Sequence, residues 1–170
     1  LCRLNKKESL LNKFNPDYRY STEFTVSSKS AWQDTGISIN KGDVIKIKAA
    51  GTIYFDTAGR KANPDGEINP NQIYLAQVDD KGRCNYLLCR EKLHSYTLVG
   101  RIGNPELTDF TKGFFVGSDL STTAADSGNL YLGFNDGFVK TDRSGLDNGA
   151  VADNSDEFAV NIIVKPKRKE

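Results

Sequence analysis

Apolar residues recur at every second position over short stretches of this chain, and turn-forming residues separate the stretches. Phe24 and Val26 alternate with polar neighbours, as a half-buried strand does. Ile37 and Ile39, then Lys41-Gly42-Asp43, then Val44, Ile45 and Ile47 read as strand, turn, strand, with Lys46 and Lys48 holding one face in water. Thr52 to Phe55 gives another strand. A loop-rich stretch follows, built on Gly59, Asn63-Pro64-Asp65-Gly66 and Asn69-Pro70-Asn71. Ile73-Tyr74-Leu75 restores apolar character. Lys81 to Leu93 fits a hairpin and a short helix equally well. Tyr96 to Ile102, Phe114 to Val116, Leu130 to Phe134 and Phe158 to Val164 complete the set of strands. No helical periodicity of any length is present, so the pattern predicts an all-β sandwich.

Residues 22–165 are expected to form one domain. Residues 1–21 read as a linker or short N-terminal extension, and 166–170 as a basic, solvated tail. The 170 residues suffice for one buried core. A net charge of +1 gives no global field favouring nucleic acid or an anionic membrane. No apolar run reaches the roughly 18 residues needed to span a bilayer. The chain contains no methionine, which suggests processing or excision from something longer. Of its three cysteines, Cys84 and Cys89 are close enough to meet across a small hairpin; a local disulfide and two free thiols both remain open.

The charge is unevenly spread. From Asp119 to Glu157 there are eight acidic residues against Lys140 and Arg143. Asn135-Asp136-Gly137 follows one predicted strand directly, and Asp153-Asn154-Ser155 precedes the last. If those strands are neighbours, both loops leave the same end of the sandwich and their oxygens converge. Such hard oxygen donors suit calcium, whereas no sulfur or imidazole is offered for zinc. The same tripeptides also make ordinary turns that cap their own backbone. The single histidine, His94, lies in no nucleophile or metal motif, and no phosphate-binding loop is present. A hydrolase would have to draw on carboxylates such as Asp136, Asp153 and Glu157, and nothing selects a pair. The expectation is a protein that is not an enzyme.

Several strings, in order, resemble the PA-IL-like (LecA-type) galactose-binding bacterial lectins. They are Trp32-Gln33-Asp34-Thr35-Gly36, Lys41-Gly42-Asp43, Ala49-Ala50-Gly51, Asn63-Pro64-Asp65-Gly66, Arg101-Ile102-Gly103-Asn104, and the two segments Leu130 to Asp136 and Asp153 to Ile162. The resemblance implies a small jelly-roll β-sandwich whose calcium is ligated directly by sugar hydroxyls. It also implies a ligand set: backbone carbonyls of Phe55 and Ala150, a bidentate carboxylate from Asp136, and side-chain oxygens from Asp153 and Asn154. For the sugar it implies Asn69, standing where the family has histidine, and Gln72, together with Asp136, Gly137 and Asp153. Tyr54 or Phe55 offers a ring that packs either on a sugar face or in the core.

Three departures accompany the resemblance. About thirteen residues, Gly137 to Gly149, replace a short link between the metal loops. One residue is missing beside Asn69. Gln77 to Leu93 is an insertion, and the family's cysteine positions fall on Ala76 and Ser95. The functional expectation is a calcium-dependent carbohydrate-binding module for galactose or a related sugar or glycoconjugate. It would act outside the cell, at the cell surface or in the periplasm, as a homo-oligomer or as part of a larger protein. The alternative is a calcium-stabilised, non-catalytic interaction or accessory domain of a larger bacterial protein, without sugar binding.

Overall fold

The computed structural model describes residues 20–68, 74–106, 109–137, 140 and 151–167. Two four-stranded antiparallel sheets make up the body. The first contains β1 (Tyr20–Ser27), β11 (Glu157–Lys165), β3 (Val44–Gly51) and β9 (Asp119–Thr123), in that spatial order. The second contains β2 (Gln33–Ile39), β10 (Gly128–Phe134), β7 (Leu98–Ile102) and β8 (Phe114–Phe115). A small third sheet joins β4 (Ile53–Tyr54), β5 (Lys61–Asn63) and β6 (Gly66–Glu67). Among the described residues there is no α-helix, and the chain is a β-sandwich.

The period-two pattern places the core. Phe158, Val160, Ile162 and Val164 of β11 are buried, and their neighbours in the strand are exposed or half-buried. Ile45 and Ile47 of β3 lie on the same inner face. The second sheet answers with Ile37 and Ile39, with Leu130, Leu132 and Phe134, and with Leu98. The sheets interlock at Phe134 and Phe158, whose rings meet edge to face with centroids 5.8 Å apart.

The last two long strands are therefore not lateral neighbours. β10 and β11 belong to different sheets and face each other through the core, because each must bury its own apolar face. Their loops still leave the same end. Gly51 stands opposite Phe158 in that register, with φ of +123°. A Cβ there would lie 2.8 Å from the Glu157 carbonyl oxygen, so the close approach of β3 to the start of β11 requires glycine.

Residues 81–93 form neither the hairpin nor the helix considered for them. They are irregular, tied by a Cys84–Cys89 disulfide, with Leu87 and Leu88 buried against the outer face of the second sheet. The insert packs so closely that a Cβ on Gly133 would lie 2.6 Å from Leu87 Cδ1. The polar strand β9 pairs with β3 at the sheet edge.

Truncating one of the interlocking rings should be felt through the whole body. Phe134→Ala is expected to lose about 3–5 kcal/mol of unfolding free energy, checked by urea denaturation against the native chain.

Candidate functional site

Three segments meet where β10 ends and β11 begins. Tyr54 and Ser155 exchange both backbone hydrogen bonds, Tyr54 N–H to Ser155 O at 3.1 Å and Ser155 N–H to Tyr54 O at 2.9 Å. That bridge lays the end of β4, with Phe55, beside the loop carrying Asp153 and Asn154. From β10, Asp136 reaches the same loop: its Oδ2 accepts a hydrogen bond from Asn154 Nδ2 at 2.9 Å. Its Oδ1 accepts one from the Gly137 N–H at 2.6 Å.

Asn154 is 1% exposed, and its amide has one orientation. Nδ2 donates to Asp136 and also to the Ser28 carbonyl oxygen at 3.0 Å. Turning the amide over would set its oxygen against two acceptors, so Oδ1 is fixed on the other side. There, Asn154 Oδ1 is buried without a hydrogen-bond partner among the described residues.

Asp136 is 6% exposed. Burial pushes its carboxyl above the ordinary range; Asn154 and the Gly137 N–H oppose this, and the charge of Asp153 adds to it. No cation among the described residues is paired with it. Asp153 itself is exposed. Phe55 is buried, its ring stacked on Tyr96 at 3.8 Å between centroids, so its ring belongs to the core. Tyr54, on the opposite side of β4, is 40% exposed.

Of the ligand set read from the sequence, Phe55, Asp136, Asp153 and Asn154 thus come together. Gly137 adjoins them, buried. Ala150, Asn69 and Gln72 lie outside the described residues. Asn135, expected to send an amide oxygen toward the same end, turns the other way. It is fully buried and clamps the insert, accepting from Leu88 N–H and donating to the Leu88 carbonyl, both at 3.0 Å. The insert's backbone needs these partners, and the side chain of Asn135 supplies both.

Sequence reasoning missed a cationic and aromatic wall next to this set. Arg60 lies between the rings of Phe55 and Tyr74, 5.1 Å from each centroid, and pairs with Asp56. The Asp56 hydrogen bond raises the Arg60 guanidinium further above its usual value. Burial alone would raise Asp56, but the hydrogen bonds and charge of Arg60 bring it below the usual range. Tyr96 has φ of +63°, and its N–H donates to the Asn135 carbonyl at 2.9 Å. Its hydroxyl is raised by burial and then by the charge of Asp136. The left-handed residue is the one signal that marks Tyr96, and it is visible only in the backbone.

Among the described residues, no three His, Cys, Asp or Glu side chains cluster as a metal centre. The set contains two carboxylates, and its remaining candidate donors are amide and backbone oxygens. A buried carboxylate with no cation and a buried, fixed amide oxygen with no donor, among the described residues, are what an oxygen-liganded ion would satisfy. On this ground the residues fit calcium.

The fold has a counterpart among solved structures. One described as the EclA N-terminal domain, a PllA-like lectin, superposes with a TM-score of 0.55 at 18% identity, covering 89% of this chain and 100% of that one. At that identity the likeness shows the shared fold. No family model matches the chain, and no curated protein does.

The raised Asp136 carboxyl sets a pH signature for the metal-free protein. In the unfolded chain it would titrate near the ordinary value of about 3.9. In the fold it holds its proton to higher pH, so folding is favoured below the ordinary value and loses that advantage as pH rises through the raised one. Asp136→Asn removes this loss. With EDTA present, the melting temperature of the variant relative to native should climb from about pH 3 to about pH 7. A constant difference would contradict the burial assigned to Asp136.

Proposed function

We propose that the chain is a calcium-dependent carbohydrate-binding module that takes galactose or a related sugar. The observation that carries this reading is the pairing of Asp136 with Asn154. That hydrogen bond occupies the amide nitrogen and leaves the amide oxygen buried, fixed and without a donor among the described residues, next to a buried carboxylate. Phe55, Asp136, Ala150, Asp153 and Asn154 would hold the ion. Bound there, calcium would supply a hard centre whose waters can be exchanged for vicinal hydroxyls.

The chain's own groups would then orient the sugar. Asp153 is exposed and Asp136 is buried, so the pair offers one carboxylate at the surface and one beneath it. Asn69, Gln72 and the Gly137 backbone would read the hydroxyls. An unpaired buried polar group costs about 1–3 kcal/mol, enough to discriminate between epimers. Tyr54 offers an exposed ring beside Ser155 for a sugar face. The fold shared with a domain described as a PllA-like lectin supports the reading. The PA-IL-like resemblance supplies its finer part, calcium and galactose.

Melting curves test both halves. Saturating calcium is expected to raise the melting temperature over EDTA by about 5–10 °C, from mass action at roughly a hundredfold excess over the dissociation constant. Galactose with calcium should raise it further, and galactose with EDTA should not. Asp136→Ala should abolish both responses. A calcium response without any sugar response would instead indicate a calcium-stabilised accessory domain. Identical curves with EDTA and calcium would reject the metal site.

A further inference from the structure

We infer that a second site, toward the other end of the sandwich, binds an oxyanion group (phosphate, sulfate or carboxylate) through Arg101, Arg90 and Lys112. Arg101 lies in β7, paired with Tyr131, three residues on from the Leu98–Phe134 pair next to the calcium loops. It is only 4% exposed. Leu98 and Leu130 mark the core face of these strands, and strand alternation turns Arg101 away from it.

Among the described residues its guanidinium is held by backbone alone. Nη1 donates to the Asp109 carbonyl at 2.8 Å and to the Glu106 carbonyl at 3.4 Å. Nε is buried and has no partner among the described residues. The nearby carboxylate is occupied elsewhere. Asp109 accepts from the Thr111 hydroxyl at 2.7 Å and pairs with Lys112 at 3.3 Å. These contacts, the Thr111 hydrogen bond foremost, hold it charged, down to about pH 2. Carbonyl dipoles share the charge of Arg101 without cancelling it, and buried charges are ordinarily paired.

A cleft of about 380 Å³ lies against this residue. Arg90 and Lys112 also line it, and Arg90 is fixed by donating to the Gly113 carbonyl. Thr122 brings a hydroxyl, that of Thr111 being donated to Asp109, and Asp126 is the single acid among the described lining residues. With Lys112 shared with Asp109, the two arginines face the one lining carboxylate beside the Thr122 hydroxyl, and together these groups form a receptor for an anion. A neutral hexose would leave those charges unanswered. The cleft shares no residue with the calcium set, so this site does not rest on the proposed function.

The test follows the orphan donor directly. The Arg101 side-chain Nε–H resonance is recorded by NMR while inorganic phosphate, inorganic sulfate, galactose 6-sulfate or galacturonate is added, with chloride at matched ionic strength as the control. It should shift with saturation for the oxyanions and stay in place for chloride. Arg90→Ala combined with Lys112→Ala, both at the rim, should weaken the response about tenfold or more, because hydrogen bonds to charged groups are lost. Asp136→Asn should leave it unchanged, which separates this site from the calcium loops. Tighter binding of the sugar-borne anions would identify an acidic or sulfated glycan as the source; equal or weaker binding would identify the free ion. An Arg101 resonance that does not move, or moves equally in the rim variant, overturns the inference.

Discussion

Phe134 and Phe158 meet edge to face across the interior, one from each sheet, and the candidate site hangs on that meeting. β10 and β11 share no hydrogen bond. What brings the residue two past the end of one strand to the loop just before the other is the burial of two apolar faces against each other. The hydrogen bond between Asp136 and Asn154 then closes a gap that core packing has already narrowed. The small sheet adds the third side, through the two backbone bonds between Tyr54 and Ser155. Loops with little regular structure are thereby held from three directions by regular structure.

Consecutive residues at the end of β10 divide the work. Asn135 faces the insert and fastens Leu88 by both backbone groups, while Asp136 faces the β11 loop. The insert is thus joined to the strand immediately before the proposed ligand. Tyr96 ties the same point once more, from its left-handed backbone to the Asn135 carbonyl and from its ring to Phe55. Arg60 extends the arrangement outward between two aromatic faces. The surroundings of Asp136 are made largely by segments remote in sequence.

That remoteness explains what could be read in advance. Alternation exposed β2, β3 and β11, because each buries one face and shows the other to polar surroundings, while β7 and β10, covered by the insert and loops on their outer face, showed themselves as apolar runs between turn-formers. It could not expose β9, whose Asp119-Leu120-Ser121-Thr122-Thr123 carries a single large apolar residue at a sheet edge. β5 and β6 are too short to show a period. Asp136 and Asn154 were legible as members of acidic, amide-rich tripeptides flanking strands, and the family resemblance gave them an order. The opposite heading of Asn135 was not legible, since it depends on an insert with no periodicity of its own. Arg101 read only as part of a strand end; its burial follows from a loop folding over the outer face, which no local pattern announces.

The fixed amide of Asn154 has an electrical consequence. An aspartate in its place would match its shape but set a second oxygen against the Ser28 carbonyl and the Asp136 carboxylate, so a third negative charge is refused at that position. The proposed ligand set therefore carries two formal charges, Asp136 and Asp153. A divalent ion seated between them would make an electrically neutral unit. Seen from a distance such a unit attracts nothing, and its pull is felt only at contact. Uncharged partners such as hydroxyls would be selected there by fit, while anionic groups would be drawn instead to the arginines beyond.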